Sequence, residues 1–104
     1  MVTFPIHVSG DAYRGSDSKK RIKAQATNRL ASQLQAHINE KLKEQVEPIR
    51  VYSYHEIAAE TGIDYEIVRR LGYSIDGGSG GFTAYKAGLT MQQAIDAAAE
   101  GKHS

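Results

Sequence analysis

The chain has 104 residues, 40% of them hydrophobic, no cysteine and a net charge of +1, which suits one domain with a modest core rather than a disordered chain. Without cysteine there are no disulfides or thiolate metal sites, which fits a reducing cytoplasm. No apolar run approaches the ~20 residues of a membrane span, and the N-terminus lacks a signal-peptide pattern, so no membrane partner is expected.

Residues 2–8 alternate Val2, Phe4, Ile6 and Val8 with polar or small residues, the period of a half-buried strand. Pro5 cannot donate to a ladder, which places this strand at an edge or gives it a bulge. Such an arm has two uses, joining its own domain's sheet or pairing with another subunit. Ser9–Asp17 is rich in turn residues and reads as a loop, so residues 1–16 form a strand and loop.

A long helix is expected over residues 17–47. It begins near Asp17 or Ser18 and runs to Val46, because Pro48 disfavours helix at Glu47. Its apolar marks are Ile22, Ala26, Leu30, Leu34, Ile38, Leu42 and Val46, always four apart. Each step advances the stripe by ~40°, so the last lies ~240° round from the first. One flat surface cannot cover that stripe. Either the helix breaks near Gln35–His37 or its ends pack on different things, the C-terminal half on the elements that follow and the N-terminal half on a second subunit.

Ile49–Val51 is a short β-branched run. Ser53 then caps a helix, with Glu56 completing a capping box and Tyr52 and Ile57 forming a hydrophobic staple. Gly62 suits a left-handed turn that ends this helix, and Asp64 caps the next. Ile67, Val68 and Leu71 supply the apolar side of helix 64–71, and Gly72 ends it. Tyr73–Ile75 and Phe82–Tyr85 are β-prone runs around the glycine-rich Asp76–Gly81 and read as a hairpin. Thr90 and Gln93 form a second capping box, staple residues Leu89 and Ala94 flank it, and a helix over 89–100 ends at Gly101 with Lys102–Ser104 frayed.

The residues Ile57, Ala58, Gly62, Ile63, Val68 and Leu71 resemble, in type and spacing, the helix-turn-helix of bacterial DNA-binding regulators. With the preceding strand and the following hairpin, residues 17–86 look like a winged helix-turn-helix. The resemblance implies an α+β, mostly helical domain, residues 49–86 forming the helix-turn-helix and wing, with a long N-terminal helix, a short N-terminal strand and a C-terminal helix.

That resemblance implies a small sequence-specific regulator of bacterial or phage type, a repressor for instance, bound to double-stranded DNA as a homodimer. Helix 64–71 would read the major groove through Tyr65, Glu66, Arg69 and Arg70, with Tyr73 just beyond. Arg binds guanine bidentately, and Glu accepts from a cytosine amine. The plainer alternatives are a charged surface helix for the arginines and packing against the wing for Tyr65. Charge is unevenly spread: Arg14, Lys19, Lys20, Arg21, Lys23 and Arg29 stand against Asp17 alone. Cations at a helix start oppose its macrodipole, and either DNA phosphate or an acidic patch of the same protein offsets them. Lys19, Lys20, Arg21, Lys23, Thr27 and Asn28 touch phosphate if the long helix reaches the backbone, and Lys86 does so from the wing base.

The histidines and acids lack metal-ligand spacing, and the glycine loop lacks the Gly-x-x-x-x-Gly-Lys-Ser/Thr pattern of a phosphate loop. No catalytic constellation, cofactor or small-molecule ligand is expected. Against DNA binding stand the acids of the first short helix, Asp64 and Glu66 at the start of helix 64–71, and the wing tip without cations. The alternative is therefore a dimeric winged-helix adaptor or inhibitor that acts by protein contact.

Overall fold

The computed structural model describes residues 1–11, 13–76 and 80–101. Residues 77–79 of the expected glycine loop and the expected frayed end at 102–104 lie outside the described residues. The described chain is α+β and mostly helical. It runs α1 (Ser18–Glu44), β1 (Ile49–Ser53), α2 (Tyr54–Thr61), α3 (Tyr65–Asp76), β2 (Gly81–Tyr85) and α4 (Met91–Gly101).

Helix α1 starts where Asp17 accepts the Lys19 and Lys20 amides at 3.0 and 3.3 Å. It does not break near Gln35–His37 but continues for 27 residues. The rotating stripe is resolved by leaving one end bare. Leu34, Ile38 and Leu42 are buried, Leu30 is half-buried, and Ile22 is 67% exposed. A helix of that length measures ~40 Å, whereas the molecule is 24 by 21 Å across its shorter axes, so its N-terminal half outruns the core. The helix ends short of the expected Val46, because Gln45 turns inward. Its buried amide donates to the Glu47 and Ala84 carbonyls at 2.9 and 3.1 Å and accepts the Tyr52 hydroxyl at 2.8 Å. Val46 is left 74% exposed.

β1 and β2 pair antiparallel, with Tyr52 opposite Phe82 and Val51 opposite Thr83. The even-numbered β1 residues face the core, where the Tyr52 and Phe82 rings stack at 5.2 Å. The expected hairpin between Tyr73–Ile75 and Phe82–Tyr85 does not form. Tyr73–Ile75 belong to α3, which continues through Gly72 to Asp76. Gly72 is small for packing rather than for a helix stop. A Cβ there would stand 2.5 Å from the Tyr54 ring, and the Tyr54 hydroxyl donates to the Gly72 carbonyl at 2.8 Å.

The turn between α2 and α3 forms as read. Gly62 has φ +75° and closes α2 on the Ala58 carbonyl at 2.9 Å, while Asp64 accepts the Glu66 amide at 2.8 Å. The capping box at Ser53 is only half made. Ser53 accepts from the His55 amide at 3.2 Å, and the Glu56 carboxylate is drawn instead towards Lys41 and Arg50. At α4 the reciprocal box is complete, with Thr90 and Gln93 bonded at 2.9 and 3.1 Å.

The N-terminal arm joins its own domain. Val2 bridges Ala84 in parallel, on the side of β2 away from β1. Beyond the cis Phe4–Pro5 bond the arm lies along α1 and replaces a ladder with side-chain amides. Asn39 bonds both backbone groups of Ile6 at 2.8 and 3.1 Å, Gln35 accepts the Val8 amide at 3.0 Å, and Asn28 bonds both backbone groups of Asp11 at 2.7 and 3.0 Å. Ile6 and Val8 are buried in consequence.

Candidate nucleic-acid interface

The apolar side of α3 is spent on the core, where Val68, Leu71 and Gly72 are buried. Glu66, Arg69, Arg70 and Tyr73 are exposed. At 100° per residue these four fall within about 100° of one another round the helix, so they form a single outward face. Because α3 extends past Gly72, Tyr73 stands on that face, 67% exposed. Arg69 is held along the helix by Glu66 at 3.0 Å. Tyr65 is half-buried, and its ring stacks on His55 at 3.8 Å and 4°. That contact ties the start of α3 to the start of α2, in place of the expected packing against a wing.

The acids of α2 are spoken for within the fold. Lys41 of α1 bonds Glu60 at 2.8 Å and lies 3.9 Å from Glu56, His37 bonds Glu60 at 3.1 Å, and Arg50 of β1 reaches Glu56 at 4.0 Å. The hydrogen bond from Lys41, and then that from His37, hold the Glu60 carboxyl below its ordinary range. The α2 acidity that weighs against a DNA surface in the sequence is thus turned towards α1 and β1, while Glu66 stays exposed on α3.

The N-terminal half of α1 differs. Among the described residues, Lys19, Lys20, Arg21, Lys23 and Arg29 form no ion pair within 4 Å. The Asp17 carboxylate caps the helix, and Lys20 lies 5.9 Å from the centre of the Tyr13 ring. No acidic patch of the same chain offsets this cluster among the described residues.

Helices α1 and α3 and the arm together line an open groove of about 480 Å³. Lys23 and Thr27 line it from α1, Arg70, Tyr73 and Ser74 from α3, and Ser9, Gly10 and Asp11 from the arm. One wall is pinned where Ser74 accepts the Ser9 amide at 3.2 Å and donates to the Leu71 carbonyl at 2.8 Å. Lys23, Arg70 and Tyr73 are therefore brought together from separate segments. Lys19, Lys20 and Arg21 stay on the overhanging turns of α1. Lys86 follows the end of β2 that lies beside Pro48, where its amide bonds the Pro48 carbonyl at 2.9 Å, and it does not line the groove. Asn28, expected to reach phosphate, is engaged in holding Asp11.

The amide contacts of Asn28, Gln35 and Asn39 were missed by sequence reasoning. Their signal is there, since spacings of seven and four residues put all three on one stripe of a helix. Among the described residues no group of His, Asp or Glu is placed to hold a metal ion, and no helix is long and apolar enough to cross a membrane. Comparison with models of protein families, with curated proteins and with solved structures finds no match.

Proposed function

We propose that this chain is a small sequence-specific double-stranded DNA-binding protein of the winged helix-turn-helix kind, acting in transcription regulation as a homodimer, with α3 entering the major groove. The observation that carries this reading is the meeting of unpaired Lys23 with Arg70 and Tyr73 around one groove beside the exposed face of α3. Glu66 and Arg69 on that face have the chemistry to read base edges, and Arg70 and Lys23 to hold phosphate. The fold departs from the family's pattern in its wing, since β2 pairs with β1 rather than with a strand after the recognition helix.

The test is a mobility shift on random and on selected duplexes at low salt, repeated at higher salt. Binding that weakens steeply with salt is expected, because phosphate contacts release counterions. Absence of binding at low salt overturns the reading. It would leave a dimeric adaptor or inhibitor that acts by protein contact, a second reading favoured by the exposed apolar side chains of Ile22, Val51, Met91 and Ile95.

A further inference from the structure

The groove between the arm, α1 and α3 has features that a flat groove-reading helix does not need. Its volume of about 480 Å³ lies within the range of small-ligand sites, roughly 300–1,000 Å³. Its charged groups are Lys23, Arg70 and Asp11. The Asp11 carboxylate is turned to the Tyr13 amide at 2.9 Å, and the two cations have no carboxylate within 4 Å among the described residues. Two cations on opposite walls outnumber the one carboxylate, Asp11, and with a Thr27 hydroxyl and an exposed aromatic ring they leave the groove with a net positive charge. A dianionic or monoanionic oxyanion balances it. Phosphate fits best, since Arg offers a planar fork and Lys a point charge to its oxygens.

We infer that this groove is a phosphate seat, with the group held between Lys23 and Arg70 and Thr27 donating from the α1 side. The phosphate comes from one of two sources. It belongs to the backbone of the duplex that α3 enters, in which case the inference rests on the DNA reading above, or to a nucleoside monophosphate whose base stacks on Tyr73. In the second case the small ligand and the DNA backbone compete for the same cations, and the seat becomes a point of control over DNA binding.

The experiment is a chemical-shift titration of the full chain with a short duplex and, separately, with adenosine monophosphate. Each is repeated on Lys23→Ala, Arg70→Ala and, as a control at the far end of α1, Lys43→Ala. These side chains lie outside the buried core, so the variants fold. Signals of Ser9, Thr27 and Tyr73 should move with at least one probe. Lys23→Ala and Arg70→Ala should each weaken that probe about tenfold, the size of one lost charge-assisted hydrogen bond, and Lys43→Ala should change it less than about twofold. Binding of the monophosphate alone keeps the seat and overturns the DNA reading. Duplex binding with the same variant pattern and no response to the monophosphate keeps the seat and assigns it to the backbone. Duplex binding insensitive to Lys23→Ala and Arg70→Ala overturns the seat while the DNA reading stands. Silence to both probes overturns the seat.

Discussion

Two glycines decide local geometry in opposite ways, and each gives a melt that tests its role. Gly62 sits at φ +75° with open space where a Cβ would be, so only its backbone conformation resists substitution. Gly62→Val should cost about 1–3 kcal/mol, the cost of holding a side-chain residue in the left-handed region, and lower the melting temperature by several degrees. A melt equal to wild type would show that the turn tolerates another conformation. Gly72 lies inside α3 with ordinary helical backbone, and Ala normally gains about 0.5–1 kcal/mol over Gly there. Here the Tyr54 ring occupies the Cβ position, and overpacking costs about 1–3 kcal/mol. Gly72→Ala should therefore lower stability. A rise in melting temperature would mean that helix propensity outweighs the contact, and that Gly72 is not the reason Tyr54 packs where it does.

At the scale of elements, α1, the α2 turn and the α4 cap were legible because their signals are local: a capping Asp17, a left-handed Gly62, a Thr90–Gln93 pair. The C-terminal turns of α3 were not. Tyr73–Ile75 has β-prone residues behind a glycine, and both cues point away from helix. Tertiary packing decides otherwise, with Tyr54 seated on Gly72 and Ile75 packed against the core. Once those residues are helical, β2 has only β1 and the arm to pair with, and the hairpin disappears. Of the candidate site, the exposed face of α3 was readable from spacing, whereas its junction with Lys23 depends on the arm's path and was not. Along α3, Arg69 and Arg70 separate in role. Both stand on the same outward face, but Arg69 is bonded to Glu66 and Arg70 lines the groove. Arg69→Ala should cost ~1–3 kcal/mol on a selected site and relax one position, while Arg70→Ala should weaken all sequences alike and reduce the salt slope by about one. Binding titrations on selected and random duplexes check this. Unchanged affinity for both variants would remove α3 as the reading helix.

Between α1 and α2, Glu60 offers a pH test. Its carboxyl is held below its ordinary value of 4.5 by Lys41 and then His37. A lowered folded value means that the stabilisation is present above the unfolded value and is lost as pH falls through the folded one. Glu60 is partly exposed, with 35% of its side-chain surface open, so the contribution belongs with surface pairs at about 0.2–1 kcal/mol. Urea unfolding of wild type and Glu60→Gln should differ by that amount at about pH 6 and converge well below the ordinary carboxylate range. A gap that stays constant with pH would show that the difference is not ionic.

For the whole molecule, the proposed homodimer needs an open surface, and of the two expected ones the arm is closed. The arm is used within its own domain, bonded to β2, Asn39 and Gln35. The N-terminal half of α1 is open, but packing it on a second copy would set Lys19, Lys20, Arg21 and Lys23 against the same cations. The free edge of β1 has no such conflict. The bonds from Tyr54 to Gly80 and from Lys86 to Pro48 fix the ladder so that even-numbered residues of β1 bond β2. The amides and carbonyls of Ile49, Val51 and Ser53 therefore point away from it. Val51, mid-strand, is 71% exposed. Antiparallel pairing of two such edges about a two-fold axis sets Val51 against Val51 of the other copy and Ile49 against its Ser53, with no like charges opposed. It also joins the two small sheets into one and puts the two α3 helices on a two-fold axis, as a palindromic operator with half-sites ~34 Å apart or a multiple of it requires. Sedimentation at micromolar concentration should give about twice the 11.4 kDa chain mass, and Val51→Lys should return a monomer, because a lysine on an edge strand opposes pairing. A wild-type monomer would exclude the dimer, and a Val51→Lys dimer would move the interface to another face.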